Sequence, residues 1–262
     1  MNALTLVVFA VVALLGLAAL IYLCQEALLF YPERLPAGYA FSVPDAEEVR
    51  IEVDGATLSA LHLELPHPKG VVFFLHGNAG SLASWFVNAW FYRQVNFDLF
   101  MLDYRGYGKS TGRIQSEAQL RRDVMAAWLQ IAPRYRGLRT VVYGRSLGTA
   151  LATGLAAQIQ PDLTILVSPY WSMVEIARLH YPLLPTALLR YRLPTFRDLA
   201  RIQGPVLLLH GDRDPLIPFD HSVRLLAVNP NAQLVRVEGA AHGDLQEHDQ
   251  YMKAIADRLA QL

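Results

Sequence analysis

Two serines of this chain lie at the centre of a G-x-S-x-G pattern, which is typical of serine nucleophiles. The first pattern is Gly108–Gly112 (GKSTG) and the second is Gly144–Gly148 (GRSLG). A serine of this kind attacks an acyl group after a histidine has taken its proton, and a carboxylate orients that histidine. These residue types therefore indicate acyl transfer, provided that one serine, one histidine and one carboxylate meet in the fold.

The first pattern also resembles the end of a phosphate-binding loop, because Gly108, Lys109 and Ser110 follow one another. A loop of that class requires G-x-x-x-x-G-K-[ST], in which backbone N–H groups surround the phosphates. Asp103 occupies the position of the first glycine, and Thr111 continues a loop instead of starting a helix. The sequence therefore argues against nucleotide binding at this segment.

The neighbouring elements distinguish the two serines. A serine nucleophile needs a sharp turn between a strand and a helix, and the N-terminus of that helix favours a developing oxyanion. Ser110 lies seven residues beyond Asp103, the residue that follows the predicted strand 97–102. Ser146 follows the apolar strand 140–143 and precedes a helix rich in small residues. Ser146 is therefore the predicted nucleophile.

The acid and the base are expected further along the chain, in the order serine, acid, histidine. Asp212 and Asp214 compete for the role of the acid in the segment 210–218 (HGDRDPLIP). We favour Asp214 because it lies further into the loop, whereas Asp212 directly follows a strand end and is better placed to stabilise the turn. The predicted base is His242, in the loop 238–244 (EGAAHGD).

Two other histidines and two backbone amides complete the candidate site. His248 falls in the predicted final helix and His210 at a strand end, so we expect neither to be the base. The tetrahedral intermediate of acyl transfer carries an oxyanion that needs hydrogen-bond donors. We assign these donors to the backbone N–H groups of Leu147, which follows the nucleophile, and of Asn78 in the loop 76–80 (HGNAG).

The elements that must position these residues alternate between short apolar segments and helical segments. The predicted strands are 49–53, 57–65, 71–75, 97–102, 140–143, 163–167, 206–209 and 233–237. The predicted helices are 82–94, 116–131, 147–160, 220–228 and 243–261. This alternation is typical of a parallel sheet covered by helices on both faces, and Asp54-Gly55 predicts a hairpin at one edge. We expect one α/β domain over residues 49–262 with about eight strands.

Residues 170–201 interrupt this alternation between two predicted strands. The segment is apolar and rich in arginine, and its position places it above the carboxyl edge of the sheet. It is interpreted either as a lid-like insert, which could face a bilayer and admit a lipid-like chain, or as an ordinary pair of connecting helices.

The N-terminus contains an uncharged segment of 22 residues from Ala3 to Cys24. As a helix it is about 33 Å long, close to the roughly 30 Å of a bilayer core. We expect a transmembrane anchor over residues 1–24 and a juxtamembrane connector over residues 25–48. A cleaved signal peptide is disfavoured, because no Lys or Arg precedes Arg34, and a buried helix is the third alternative. The sequence does not indicate which side of the membrane carries the domain.

The composition excludes several other classes of site. The formal net charge is zero, so the basic surface typical of nucleic-acid binding is not expected. A single cysteine allows no intramolecular disulfide, and the chain has no H-E-x-x-H or paired-cysteine metal motif. We expect no metal and no cofactor; the oligomeric state is not indicated.

Five segments taken together resemble the α/β-hydrolase superfamily over nearly all of residues 49–262. They are HGNAG (76–80), LDYRGYGKSTG (102–112), GRSLGT (144–149), HGDRDPLIP (210–218) and AAHGD (240–244). More narrowly, the chain is similar to single-span α/β-hydrolase-domain proteins, a group with serine-aminopeptidase-like and protein-depalmitoylating members. The resemblance implies the triad Ser146, Asp214 and His242. Thr149 departs from the glycine usual in that group, and we expect it to narrow the pocket.

These observations predict a membrane-anchored serine hydrolase of acyl esters or thioesters. A bacterial inner membrane is a compatible location, and the expected substrate is a small molecule, a lipid or an acylated protein. The first alternative is a serine peptidase of the aminopeptidase type, which would need an acidic recess for the substrate amine. The second is a non-catalytic membrane scaffold, which the complete set of triad residues disfavours.

Overall fold

The apolar segments form one eight-stranded sheet in the computed structural model, which describes residues 2–262. The strands are β1 Ala46–Val53, β2 Ala56–Leu63, β3 Gly70–Leu75, β4 Asp98–Leu102, β5 Arg139–Arg145, β6 Leu163–Val167, β7 Val206–Gly211 and β8 Ala232–Val237. Their order in the sheet is β8-β7-β6-β5-β3-β4-β2-β1. Only the β1–β2 and β2–β4 pairs are antiparallel. The predicted α/β-hydrolase fold, with its hairpin at one edge, is confirmed.

Helices cover both faces of the sheet. The α-helices of the described residues are α1 Ala3–Leu23, α2 Gln25–Leu29, α3 Leu82–Trp85, α4 Ala89–Val95, α5 Glu117–Ile131, α6 Gly148–Ile159, α7 Met173–His180, α8 Thr195–Leu199, α9 Asp220–Leu226 and α10 Asp249–Ala260. Of these, α5, α6 and α9 cover one face and α3, α4 and α10 cover the other. Strand β3 is continuously apolar because both of its faces are buried. Phe73 packs in the layer that contains α5, α6 and α9, and Phe74 packs in the layer that contains α3, α4 and α10. Alternate side chains of one strand thus fill two separate cores.

Two helices have different bounds in the structure from those predicted. The helix predicted over 82–94 is divided into α3 and α4, because Phe86 leaves helical backbone geometry (φ −84°, ψ 47°) while its side chain is buried. The helix predicted over 243–261 starts only at Asp249, because the Asp244 carboxylate accepts the Ala241 N–H at 2.7 Å and forms a turn first. Both differences are close to the candidate site and shape it.

The first part of the segment predicted as a connector, residues 25–35, packs against the domain. The buried Gln25 side chain donates to the Leu188 carbonyl at 2.5 Å and accepts the Arg190 N–H at 2.8 Å. Phe30 is part of the core, and the Tyr31 N–H donates to the Asn78 carbonyl at 2.9 Å. The domain therefore buries Gln25 and Phe30 of this segment and pairs polar groups of Gln25 and Tyr31.

A buried ion pair fixes the loop that follows β4. The Arg105 Nε and Nη2 groups donate to the two Asp123 carboxylate oxygens at 2.6 and 2.9 Å, and both side chains are about 5% exposed. This bidentate pair joins the loop to α5.

Asp123→Asn is expected to lower the free energy of unfolding by about 3–5 kcal/mol, because it leaves the Arg105 charge buried without a carboxylate. Denaturant titration of the detergent-solubilised protein measures this change. The control Lys253→Ala removes the exposed Lys253–Asp257 pair, which is expected to cost only about 0.3–0.5 kcal/mol. Equal losses in the two variants would contradict the structural role assigned to the buried pair.

Candidate active site

Ser146 occupies a strained turn between β5 and α6. Its φ of +51° lies in the left-handed region, which is uncommon for a residue with a side chain and is typical of a nucleophile turn. The two glycines of the pattern have no room for a Cβ: one added to Gly148 would lie 2.0 Å from the Leu75 carbonyl oxygen, and one added to Gly144 would lie 2.6 Å from the Ala152 Cβ. The pattern therefore reflects close packing of the turn and α6 against neighbouring backbone.

Hydrogen bonds join the three residues predicted as the triad. Ser146 Oγ lies 3.0 Å from His242 Nε2, and His242 Nδ1 lies 2.7 Å from Asp214 Oδ2. Ser146 follows β5, Asp214 follows β7 and His242 follows β8, so the carboxyl ends of these parallel strands bring the three side chains together. The imidazole of His242 therefore lies between the Ser146 hydroxyl and the Asp214 carboxylate, with one ring nitrogen facing each.

The Asp214 carboxylate is buried but strongly stabilised in its charged form. Burial by itself raises its pKa, but hydrogen bonds from His210 and His242 outweigh this and hold the pKa well below the usual range. The backbone N–H groups of Leu216 and Ile217 also donate to its Oδ1 at 2.9 and 2.8 Å. The carboxylate is therefore ionised and fixed in orientation.

His210 makes a contact that sequence reasoning missed. Its Nε2 lies 3.3 Å from Asp214 Oδ2, while its Nδ1 lies 2.6 Å from Ser222 Oγ. The signal was present, since His210 and Asp214 belong to the same HGDRD segment. Asp212 instead binds Arg236 at 2.7 Å and accepts the Gly239 N–H at 2.8 Å, so it stabilises the turn after β7 as the sequence suggested.

The two backbone amides predicted as oxyanion donors have no acceptor within the described residues. Within residues 2–262, the N–H groups of Asn78 and Leu147 donate to no other group of the chain. Two hydrogen bonds fix the position of the loop that carries Asn78. The Asn78 carbonyl accepts them from the Tyr107 hydroxyl at 2.7 Å and from the Tyr31 N–H at 2.9 Å. Both predicted oxyanion donors are therefore unpaired at the end of β3 and at the start of α6.

Ser110 is held in a structural hydrogen-bond pair, away from the triad. Its buried Oγ donates to the Asp103 carbonyl at 2.7 Å and accepts the Ser59 N–H at 2.8 Å. Thr149 also has a local role, since its Oγ1 donates to the Ser146 carbonyl at 2.6 Å. Thr149 is not among the residues that line the cavity beside Ser146.

A cavity of about 490 Å³ opens beside Ser146 and His242. Its apolar wall comes from β3, β4, the α3–α4 segment and α10, and consists of Phe74, Trp85, Val87, Phe91, Leu99, Met101, Met252 and Ile255. No residue of the insert 170–201 lines it. The sequence did not reveal this wall, although the aromatic segment 85–92 (WFVNAWFY) was the available signal. In the part of the chain that the structure describes, no group of three or more His, Cys, Asp or Glu is arranged to hold a metal.

Comparison with known proteins agrees with this fold. Residues 66–198 match the family described as Serine aminopeptidase, S33. An uncharacterized protein of Mycobacterium tuberculosis is 35% identical over 250 residues, which cover 90% of this chain and 88% of the relative. The human α/β hydrolase domain-containing protein 17B is 32% identical over 203 residues, which cover 75% of this chain and 68% of that protein.

Solved structures are similar at lower identity. An esterase of Pyrococcus furiosus, Pf2001, has a TM-score of 0.71 at 19% identity, covering 89% of this chain and 97% of that chain. Est1E of Butyrivibrio proteoclasticus, solved with ferulic acid, has a TM-score of 0.65 at 20% identity, covering 81% and 96%. The chain is therefore a hydrolase of the α/β-hydrolase superfamily and belongs to the group that includes the α/β hydrolase domain-containing 17 proteins.

Proposed function

We propose that this protein is a serine hydrolase that cleaves acyl esters or thioesters through a covalent acyl-enzyme. The observation that carries the proposal is the hydrogen-bonded series Ser146–His242–Asp214, which ends at the mouth of an apolar cavity. A nucleophile beside an apolar recess suits a substrate with an acyl chain, since the chain leaves water as the carbonyl reaches the serine.

In the first half of the reaction, Ser146 Oγ attacks the acyl carbonyl carbon as His242 Nε2 takes its proton. The carbonyl π bond opens and places negative charge on oxygen, which the N–H groups of Asn78 and Leu147 receive. A single donor of this type contributes about 10²–10³ in rate. The bond to the leaving oxygen or sulfur then breaks, and His242 returns its proton to the leaving group.

In the second half, water attacks the acyl-enzyme. His242 takes a proton from the water, the same two amides stabilise the second oxyanion, and the bond from the acyl carbon to Ser146 Oγ breaks with return of the proton to serine. Ionised Asp214 stabilises the imidazolium in both halves and holds Nδ1 protonated, so that Nε2 faces the serine.

The charges around the cavity favour esters and thioesters over aminopeptidase substrates. An aminopeptidase must bind the ammonium group of its substrate, for which a carboxylate is the usual partner. In the described part of the chain, no Asp or Glu lines the cavity, and Arg145 places a positive charge there instead.

Comparing acyl esters with aminoacyl amides tests this proposal directly. We expect higher kcat/KM for p-nitrophenyl acyl esters than for aminoacyl-naphthylamides, and an optimum chain length set by the cavity. Met252→Trp should shift the optimum to shorter chains because the indole fills the cavity, whereas Met252→Leu conserves volume and should leave it in place. Preferred cleavage of the amides would contradict the ester assignment.

The proposal places the reaction at a membrane surface. The apolar helix α1 has a mean hydropathy of 2.9 over its most apolar window, and none of that window is buried. Near its C-terminal end it contacts the domain, where the Arg190 guanidinium carbon lies 5.5 Å from the centre of the Tyr22 ring. Arg190 also pairs with Glu26 at 2.9 Å, which joins this end of α1 to the insert. On the insert, Tyr181 and Leu183 are exposed apolar side chains that would meet the lipid headgroup region beside the anchor.

Removing residues 2–24 is expected to move the protein from the membrane fraction to the soluble fraction, because about 20 apolar residues that span the bilayer are lost. Fractionation with alkaline carbonate extraction measures this change. The deletion should retain labelling of Ser146, since the triad lies in the domain. If expression of the full-length sequence yields a soluble protein that lacks the first residues, α1 is a cleaved signal and the anchor assignment is contradicted.

A further inference from the structure

Arg145 carries a permanent charge at the cavity. Among the described residues that line it there is no Lys, Asp or Glu and no second Arg. Arg145 precedes the nucleophile on the chain and is half-buried. Its guanidinium carbon lies 5.4 Å from the centre of the Trp85 ring, and its Nη2 donates to the His242 carbonyl at 3.2 Å. The side chain is therefore held in place next to the triad by a cation–π contact and one hydrogen bond.

No carboxylate neutralises this charge. Within residues 2–262, no Asp or Glu oxygen lies within 4.0 Å of the Arg145 guanidinium, whereas Arg105 and Arg121 are paired with carboxylates. A guanidinium carries five N–H donors, and the Arg145 bond to the His242 carbonyl uses one of them. The cavity thus presents a fixed positive charge and unused donors beside the reacting serine.

We propose that Arg145 forms an anion subsite and that the natural substrate carries a carboxylate or phosphate within reach of it. This inference rests on the proposed hydrolase function and adds a chemical class of substrate. A planar guanidinium binds such groups through two parallel N–H···O bonds. Binding a substrate excludes water from the apolar wall, which strengthens the attraction between these charges. The anion is carried either by the acyl half or by the leaving half of the substrate.

A positioning role alone would have a different kinetic signature. The hydrogen bond from Arg145 to the His242 carbonyl supports the loop that carries His242. If Arg145 only held this loop, replacing it would lower kcat/KM for anionic and neutral substrates by the same factor. An anion subsite instead changes the ratio of the two rates, and this ratio is the decisive readout.

Two matched pairs of esters measure this ratio in the full-length protein in detergent. The first pair compares the mono-p-nitrophenyl ester of hexanedioic acid with p-nitrophenyl hexanoate, so that the acyl half differs by a carboxylate. The second pair compares 3-carboxy-4-nitrophenyl butyrate with 4-nitrophenyl butyrate, so that the leaving half differs. Comparing each ratio between variants cancels the intrinsic reactivity of the esters.

Arg145→Gln is expected to lower the anionic-to-neutral ratio at least about tenfold in one of the two pairs, because a charge-assisted hydrogen bond is lost. The affected pair identifies the half of the substrate that carries the anion. Arg145→Lys keeps the charge and should retain part of the ratio. The matched control Arg122→Gln removes an exposed arginine on α5, outside the cavity, and should leave both ratios unchanged.

Unchanged ratios in both pairs for Arg145→Gln would overturn the subsite, even if its absolute rates fall. Fluorophosphonate labelling separates this failure from failure of the proposed function. A protein that is labelled at Ser146 and cleaves the neutral esters, but shows no dependence on Arg145, contradicts the subsite alone. An unsubstituted protein that neither labels nor cleaves any ester contradicts both.

Discussion

Ser146→Ala is expected to lower kcat for acyl ester hydrolysis by roughly 10⁴–10⁶-fold, to the residual rate that binding and oxyanion donors support without a nucleophile. The loss should appear in kcat with little change in KM, because the hydroxyl acts on the reacting carbonyl and does not hold the substrate in the cavity. Steady-state kinetics with the preferred p-nitrophenyl ester measures this.

Ser110→Ala is the matched control, since Ser110 lies in the other G-x-S-x-G pattern. It should retain ester hydrolysis. Its expected effect is a loss of about 1–3 kcal/mol in the free energy of unfolding, because the Ser59 N–H is left buried without an acceptor. Equal kinetic losses in the two serine variants would contradict the assignment of the nucleophile.

Asp214→Asn is expected to lower kcat by roughly 10⁴-fold, the effect of replacing the acid of a Ser-His-Asp triad with its amide. An amide cannot stabilise the imidazolium, and its NH₂ group favours the wrong tautomer of His242. Circular dichroism should remain close to that of the unsubstituted protein, because asparagine matches the shape of aspartate.

Asp212→Asn is the matched control for the acid. Asp212 binds the exposed Arg236 side chain and the Gly239 N–H, and within residues 2–262 it forms no hydrogen bond or ion pair with His242. Activity should therefore persist, with a small loss of stability. A larger loss of kcat in Asp212→Asn than in Asp214→Asn would reverse the choice between the two carboxylates.

The sequence predicted the residues of the candidate site because parallel strands restrict where functional loops lie. Ser146, Asp214 and His242 each follow a short apolar strand, and the carboxyl ends of such strands meet at one edge of the sheet. The spacing of Gly144 and Gly148 carried packing information as well, since any side chain there would overlap the backbone or α6.

The cavity wall depends on contacts that local patterns do not encode. Phe91 and Met252 are far apart in the sequence, and they line one cavity because α4 and α10 cover the same face of the sheet. The sequence pattern predicted one helix over 82–94, but the chain leaves helical geometry at the buried Phe86 and forms two helices. Propensity is a weak guide where tertiary packing decides the backbone.

The insert 170–201 shows a similar limit. Its position between β6 and β7 allowed either a lid or an ordinary pair of connecting helices, and neither interpretation predicted its contact with the end of α1, where the Leu188 carbonyl and the Arg190 N–H bind Gln25. The sequence does not indicate that Gln25, in the segment predicted as a juxtamembrane connector, is buried. The anchor and the insert are thus connected by polar contacts that only the folded chain reveals.

Mapping the covalent adduct of a fluorophosphonate probe tests the central claim most directly, because the probe reacts only with a serine that its own site activates. After labelling of the full-length protein and proteolysis, mass spectrometry should find one adduct, on the peptide that contains Ser146, and His242→Ala should abolish it. An adduct on Ser110, or on Ser146 at an unchanged rate in His242→Ala, would contradict the account.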